Sequence, residues 1–125
     1  MRVRELVSGD VVWINPDATI RQAAELMTST EVGSVAVEVD GALEGILTER
    51  DILRAVAADA EFDLDPASSW MTEYPDSFSP EMEVREAADW MLATGFRHLP
   101  VVENGEVLGV ISIKDVLWAI TEETV

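Results

Sequence analysis

Cysteine is absent from the 125 residues. That excludes disulfide scaffolds, zinc–thiolate sites, iron–sulfur clusters and thiol catalysis, and it sets a reducing, cytoplasmic interior as the expected compartment. Basic side chains are scarce. Eight Lys and Arg, of which Lys114 is the only Lys, face 25 Asp and Glu for a net charge of −17. A surface this acidic repels phosphate backbones, so nucleic acid is not an expected partner and any bound anion needs a locally built site. The balance fits a high-salt cytoplasm and an ordinary acidic bacterial protein equally. Long apolar runs are missing too. Val107–Ile111 and Val116–Ile120 fall far short of the ~20 residues of a membrane span, and Met1-Arg2-Val3-Arg4-Glu5 leads into no apolar stretch of a secretory signal. Neither a membrane nor an export route is expected.

What is present is a globular composition, 48% hydrophobic and 26% charged, at a length that suits roughly 100–150 residues of compact fold. The chain also repeats itself. Shifted by 64 positions, Ile14–Arg54 lies on Phe78–Trp118 without a gap, with identities at punctuation and core positions. These include Pro16/Pro80, Ala23/Ala87, Met27/Met91, Gly41/Gly105, Gly45/Gly109 and Asp51/Asp115. The division read from this period is repeat 1 over 1–60, an acidic linker over 61–67 and repeat 2 over 68–125.

Each repeat reads as strand–helix–strand–strand–helix, an α+β pattern. Short strands are expected at Val11–Ile14 and around Ser77-Phe78. Asn15-Pro16-Asp17 and Ser79-Pro80-Glu81 carry helix-start chemistry. Ile20, Ala23, Ala24 and Met27, matched by Val84, Ala87, Ala88 and Met91, form one apolar helical stripe. Asp40-Gly41 and Asn104-Gly105 between β-branched runs predict hairpins, because both turn residues must accept positive φ. A second helix opens at Thr48 or Ser112. Neither repeat, at roughly 45 residues, buries enough apolar surface alone, so the two should pack together. The carboxylates of Asp59–Asp65 alternate as in a calcium loop, but that loop needs Gly and Glu where Leu64 and Trp70 stand, so a solvated linker is expected. Ser68–Thr72 aligns with Arg4–Ser8 as a repeated lead-in.

The positions closest to chemistry are Gly45-x-x-Thr48-x-Arg50-Asp51 and Gly109-x-x-Ser112-x-Lys114-Asp115. At each, a strand ends and a hydroxyl residue caps the next helix, whose free N–H groups and dipole favour an anion such as phosphate. Arg50 or Lys114 can neutralise that anion, and an ionised Asp offers only acceptors, which suits the two donors of a ribose diol. The same Thr-x-x-Asp and Ser-x-x-Asp spacing is also a capping box that merely seals its own helix. Capping and binding can share the residues, and both readings stand at this level. His98 follows Arg97 ahead of a strand. It has no second soft ligand for a zinc site, so no metal is expected. No nucleophile–base pair and no phosphate-binding glycine loop is evident, so catalysis is not expected. Trp13, Trp70, Trp90 and Trp118 read as core or interface anchors.

These two motifs, together with Gly95-Phe96-Arg97-His98-Leu99-Pro100-Val101-Val102, resemble the cystathionine-β-synthase (CBS) domain, and their duplication resembles a tandem pair, the Bateman module. The resemblance covers about 115 residues. It implies two repeats packed through their sheets with pseudo-twofold symmetry, and clefts between them that bind AMP, ADP, ATP or S-adenosylmethionine as a regulatory ligand, with no required cofactor. It also implies a homodimer that acts on a protein target not identified by the sequence. Carried over by position, Asp51 and Asp115 would meet ribose, Thr48 and Ser112 ribose or phosphate, and Arg50, Lys114, Arg97 and His98 phosphate. Ser77 keeps a small hydroxyl at the position that contacts the base, whereas Trp13 departs from it and would either stack on a purine or plug its cleft, plugging being the expectation. The better site is therefore expected around Ser77, Ser112 and Asp115. A ligand-free dimerisation scaffold and a divalent-cation-responsive module are the alternative readings.

Overall fold

A computed structural model describes residues 1–7 and 11–123. Ser8 of the first lead-in and the last two residues of repeat 2 lie outside the described residues. The chain divides into two compact units, and these cut it differently from the sequence period. An internal unit holds Val12–Pro75, while a terminal unit joins Met1–Val11 to Asp76–Val125. Each unit thus carries the core of one repeat and the lead-in of the other.

In the internal unit, strand β1 (Trp13–Ile14) runs parallel to β2 (Ser34–Val39), which pairs antiparallel with β3 (Ala42–Thr48). A fourth strand, β4 (Thr72–Glu73), adds to the far edge of β3. Helices α1 (Ile20–Thr30) and α2 (Glu49–Ala57) complete the unit. The β2–β3 hairpin turns at Asp40 (φ 51°) and Gly41 (φ 80°), as the Asp-Gly pair predicts. The expected stripe of α1 is buried at Ile20, Ala23 and Met27, of which Ala23 and Met27 pack with Ile14, Val35, Val37 and Leu47.

The terminal unit repeats the plan with α3 (Val84–Thr94), β5 (His98–Glu103), β6 (Glu106–Ser112) and α4 (Ile113–Glu123). Its hairpin turns at Asn104 (φ 52°) and Gly105 (φ 81°). The strand expected around Ser77-Phe78 is reduced to one parallel bridge, Phe78 to Val101. Its core gathers Val3, Val84, Met91, Val101, Ile111 and Val116. Trp90 meets Phe78 edge-on at 5.5 Å and stacks on Phe96 at 6.0 Å.

The lead-ins explain the glycine of each motif. A Cβ on Gly45 would lie 2.5 Å from Met71 Sδ, and one on Gly109 would lie 2.6 Å from Val7 Cγ1. Val7 and Met71 are themselves 64 residues apart, so the same lead-in position crosses the same strand position in both units. The glycines clear space for a crossing segment.

Two sequence expectations need correction. The helices do not start at Asn15-Pro16-Asp17 and Ser79-Pro80-Glu81. There the side-chain oxygens of Asn15 and Ser79 accept from the N–H groups of Asp17 (2.9 Å) and Glu81 (3.2 Å), closing separate turns. Helix α1 is instead capped at Thr19, which exchanges hydrogen bonds with Gln22. Nor is the acidic linker merely solvated. The carbonyls of Asp65 and Phe62 accept from the N–H groups of Ile20 and Arg21, and the Asp63 carboxylate pairs with Arg21 at 2.5 Å. The linker satisfies the first turn of α1.

Candidate functional site

Both strand-to-helix junctions fold as reciprocal caps, and the sequence dictates it locally. Asp51 Oδ2 accepts from Thr48 N at 2.8 Å and from Thr48 Oγ1 at 3.1 Å, while Asp51 N donates back to Thr48 Oγ1 at 3.4 Å. Asp115 Oδ2 takes the matching bonds from Ser112 at 2.8 and 3.1 Å, with a return bond of 3.3 Å. The first N–H of each helix is also occupied: Glu49 N donates to Gly33 O at 3.0 Å, and Ile113 N to Arg97 O at 2.8 Å. The caps therefore consume several of the donors that a bound anion would use. What they leave is one carboxylate oxygen per junction, Oδ1.

The two Oδ1 atoms differ. In the internal unit Asp51 is buried, and its Oδ1 accepts from Arg54 Nη1 at 3.1 Å across one helical turn. In the terminal unit Asp115 is half-buried, and the residue one turn on is Trp118. Among the described residues no hydrogen bond to Asp115 Oδ1 is formed. Arg54 is the residue that sequence reasoning missed. Its i,i+3 spacing from Asp51 was the available signal.

The structure brings most of the expected terminal-unit residues together. His98 stands opposite Ser112 in the β5–β6 register, and Arg97, through its carbonyl, is tied to the start of α4 beside exposed Lys114. Ser77 is exposed immediately before Phe78, whose backbone bonds Pro100 and Val102 along the other edge of β5. In the internal unit Thr48, Arg50 and Asp51 share the start of α2, with Arg50 exposed, and Trp13 is half-buried in register with Ala36. A groove of about 390 Å³ in that unit lies elsewhere, between α1 and α2, lined by Ile20, Ala24, Ile52, Val56 and Phe62 among others. No group of three or more metal-ligating side chains gathers among the described residues, and no helix there is long and apolar enough to cross a membrane.

Comparison with known proteins gives a consistent picture. A family model for the CBS domain matches the chain twice, over residues 3–58 and 67–122. The CBS domain-containing protein YhcV of Bacillus subtilis is 31% identical over 113 residues, spanning 90% of this chain and 81% of that protein. Among solved structures, the CBS-domain containing protein ATU1752 from Agrobacterium tumefaciens is 35% identical with a TM-score of 0.89, covering 95% of this chain and 92% of that one. The CBS domain protein PAE2072 from Pyrobaculum aerophilum, crystallised in complex with AMP, is 31% identical with a TM-score of 0.85, covering 98% and 99%.

Proposed function

Since the chain belongs to the CBS-domain family as a tandem pair of β-α-β-β-α repeats, we propose that it is a non-catalytic regulatory module. In this reading it binds an adenosine-containing ligand (AMP, ADP, ATP or S-adenosylmethionine) and passes ligand state to a protein partner in the cytoplasm. The observation that carries it is the half-buried Asp115 carboxylate, with Oδ2 fixed by Ser112 and Oδ1 left to accept. A diol needs acceptors held in place, and a carboxylate already anchored through one oxygen loses little freedom on binding. Arg97, His98 and Lys114 add cationic or hydrogen-bonding groups at the same end of the terminal unit, where a phosphate would be compensated. The AMP complex of the Pyrobaculum protein supports this ligand class. Ser112, Asp115, Ser77, Arg97, His98 and Lys114 form the stronger site in this proposal, and Thr48, Arg50 and Asp51 the weaker one.

Ligand binding can shift the protein between arrangements only by its difference in affinity for them. The arrangement at stake is read as a homodimer. Leu53 (67% exposed), Leu117 (58%) and Trp118 (56%) leave apolar helix surface open to a second copy. Native mass spectrometry of freshly purified protein tests both points together. A dimer mass carrying an adenine nucleotide is expected. A species without nucleotide that also gains no thermal stability at millimolar AMP, ADP, ATP and S-adenosylmethionine overturns the sensor reading. The second reading, a dimerisation scaffold with sealed junctions, is favoured by the engagement of both Asp51 carboxylate oxygens within the chain. It predicts a dimer with no nucleotide response.

A further inference from the structure

The two junctions superimpose in sequence and in their caps, yet they diverge at the position one turn into the helix, where Arg54 stands opposite Trp118 in the repeat. Arg54 donates to the one Asp51 oxygen that the cap leaves over, and Asp51 is only 3% exposed beneath it. An incoming ribose competes with this guanidinium for the same Asp51 oxygen. In the terminal unit no such exchange is needed, because the side chain at the equivalent place is an indole and no hydrogen bond to Asp115 Oδ1 is formed among the described residues. We propose that Arg54 is an internal latch that competes with ligand ribose for Asp51 and so makes the Thr48–Asp51 site the weaker of the pair. The proposal rests on the adenosine-ligand reading above and deepens it by naming the residue that sets the inequality of the sites.

The latch is modest by construction. Arg54 is 61% exposed, so its ion pair is partly screened. Breaking an exposed pair of this kind weakens binding by about fivefold at most. A second role for Arg54 has to be separated from the first, because a guanidinium could attract a phosphate instead of obstructing a diol. Adenosine distinguishes the two, since it carries the diol without the phosphate.

The experiment is calorimetric titration of the full chain with adenosine and with AMP, fitted to two sites. Five proteins are compared: wild type, Arg54→Gln, Asp115→Asn, Trp13→Ser, and Arg54→Gln in the Trp13→Ser background. The last pair prevents the indole from masking a gain. Wild type is expected to show one tighter site that Asp115→Asn removes. Arg54→Gln is expected to strengthen the other site for adenosine about fivefold, in at least one background, with the tighter site unchanged. Circular dichroism checks that each variant folds. Equal sites in wild type overturn the latch and leave the ligand reading intact. So does an unchanged weaker site in both Arg54→Gln backgrounds, or a loss of AMP affinity with adenosine unaffected. No binding of either probe by any of the proteins overturns the latch and the ligand reading together.

Discussion

Replacing Gly45 and Gly109 by Ala is the sharpest perturbation of the exchanged lead-ins, because the two sites look alike in sequence and differ in what a methyl group would strike. In an open extended position, Gly→Ala stabilises by about 0.4–1 kcal/mol through the unfolded chain. At Gly109 the new Cβ meets Val7 Cγ1 at 2.6 Å, but the next atoms stand at 3.6 and 3.8 Å. A small side-chain rotation relieves that clash, and a net cost of about 1 kcal/mol follows from the low end of overpacking penalties. At Gly45 the Cβ meets Met71 Sδ at 2.5 Å and also the Thr72 carbonyl oxygen at 2.8 Å. The methionine can bend away. The carbonyl cannot, because Thr72 is paired with Ile46 and moving it opens the β3–β4 edge. A cost of about 2–3 kcal/mol is expected there. Urea unfolding reads the difference, with Gly45→Ala unfolding at a midpoint roughly 0.5–1 M lower than Gly109→Ala. Adding Val7→Ala should relieve most of the Gly109→Ala cost in a double-mutant cycle. Adding Met71→Ala should relieve only part of the Gly45→Ala cost. Equal penalties, or full relief of Gly45→Ala by Met71→Ala, would refute the crossing of each motif strand by a lead-in backbone.

Four further outcomes are expected. Thr48→Ala and Ser112→Ala should each lower stability by about 1 kcal/mol in urea titrations through loss of the helix cap. Asp51→Ala should cost more than Asp115→Ala, because it removes an acceptor that is buried under Arg54. The Arg4 guanidinium, hydrogen-bonded to Glu81 at 2.7 Å, holds the Glu81 carboxyl below its ordinary value of 4.5. Its stabilisation is therefore present above that value and lost as pH falls through the lowered one, so Glu81→Gln should flatten the stability–pH curve on the acid side of pH 4.5. Leu117→Lys, at an exposed apolar position, should convert a dimer to monomer in light scattering while leaving the unfolding midpoint of the monomer nearly unchanged.

Local chemistry was legible in the sequence, and long-range chemistry was not. The Asp-Gly and Asn-Gly turns, the apolar stripes of α1 and α3 and the caps at Thr48 and Ser112 follow from side-chain geometry within a few residues, and all stand in the structure. Pro16 and Pro80 point to helix starts earlier than the observed ones, and for α1 the true start is marked by Thr19-x-x-Gln22, a capping box written openly in the sequence. The exchange of lead-ins left no local trace, since it depends on Val7 reaching Gly109 about a hundred residues away. Of the candidate site, the residue types and their clustering in the terminal unit were readable, but the inequality at Oδ1 was not. Arg54 and Trp118 sit where periodicity alone expects only a helix surface.

The central claim is that Asp115 receives a ribose diol, and the most direct measurement is the affinity of the wild-type chain for AMP against 2′-deoxy-AMP by calorimetry. Losing one hydrogen bond to a charged acceptor amounts to about 1.5–3 kcal/mol, so the tighter site should bind AMP roughly tenfold or more tightly than 2′-deoxy-AMP, and Asp115→Ala should remove that site. Equal affinity of the tighter site for the two nucleotides, or a tighter site that keeps its preference in Asp115→Ala, would contradict it.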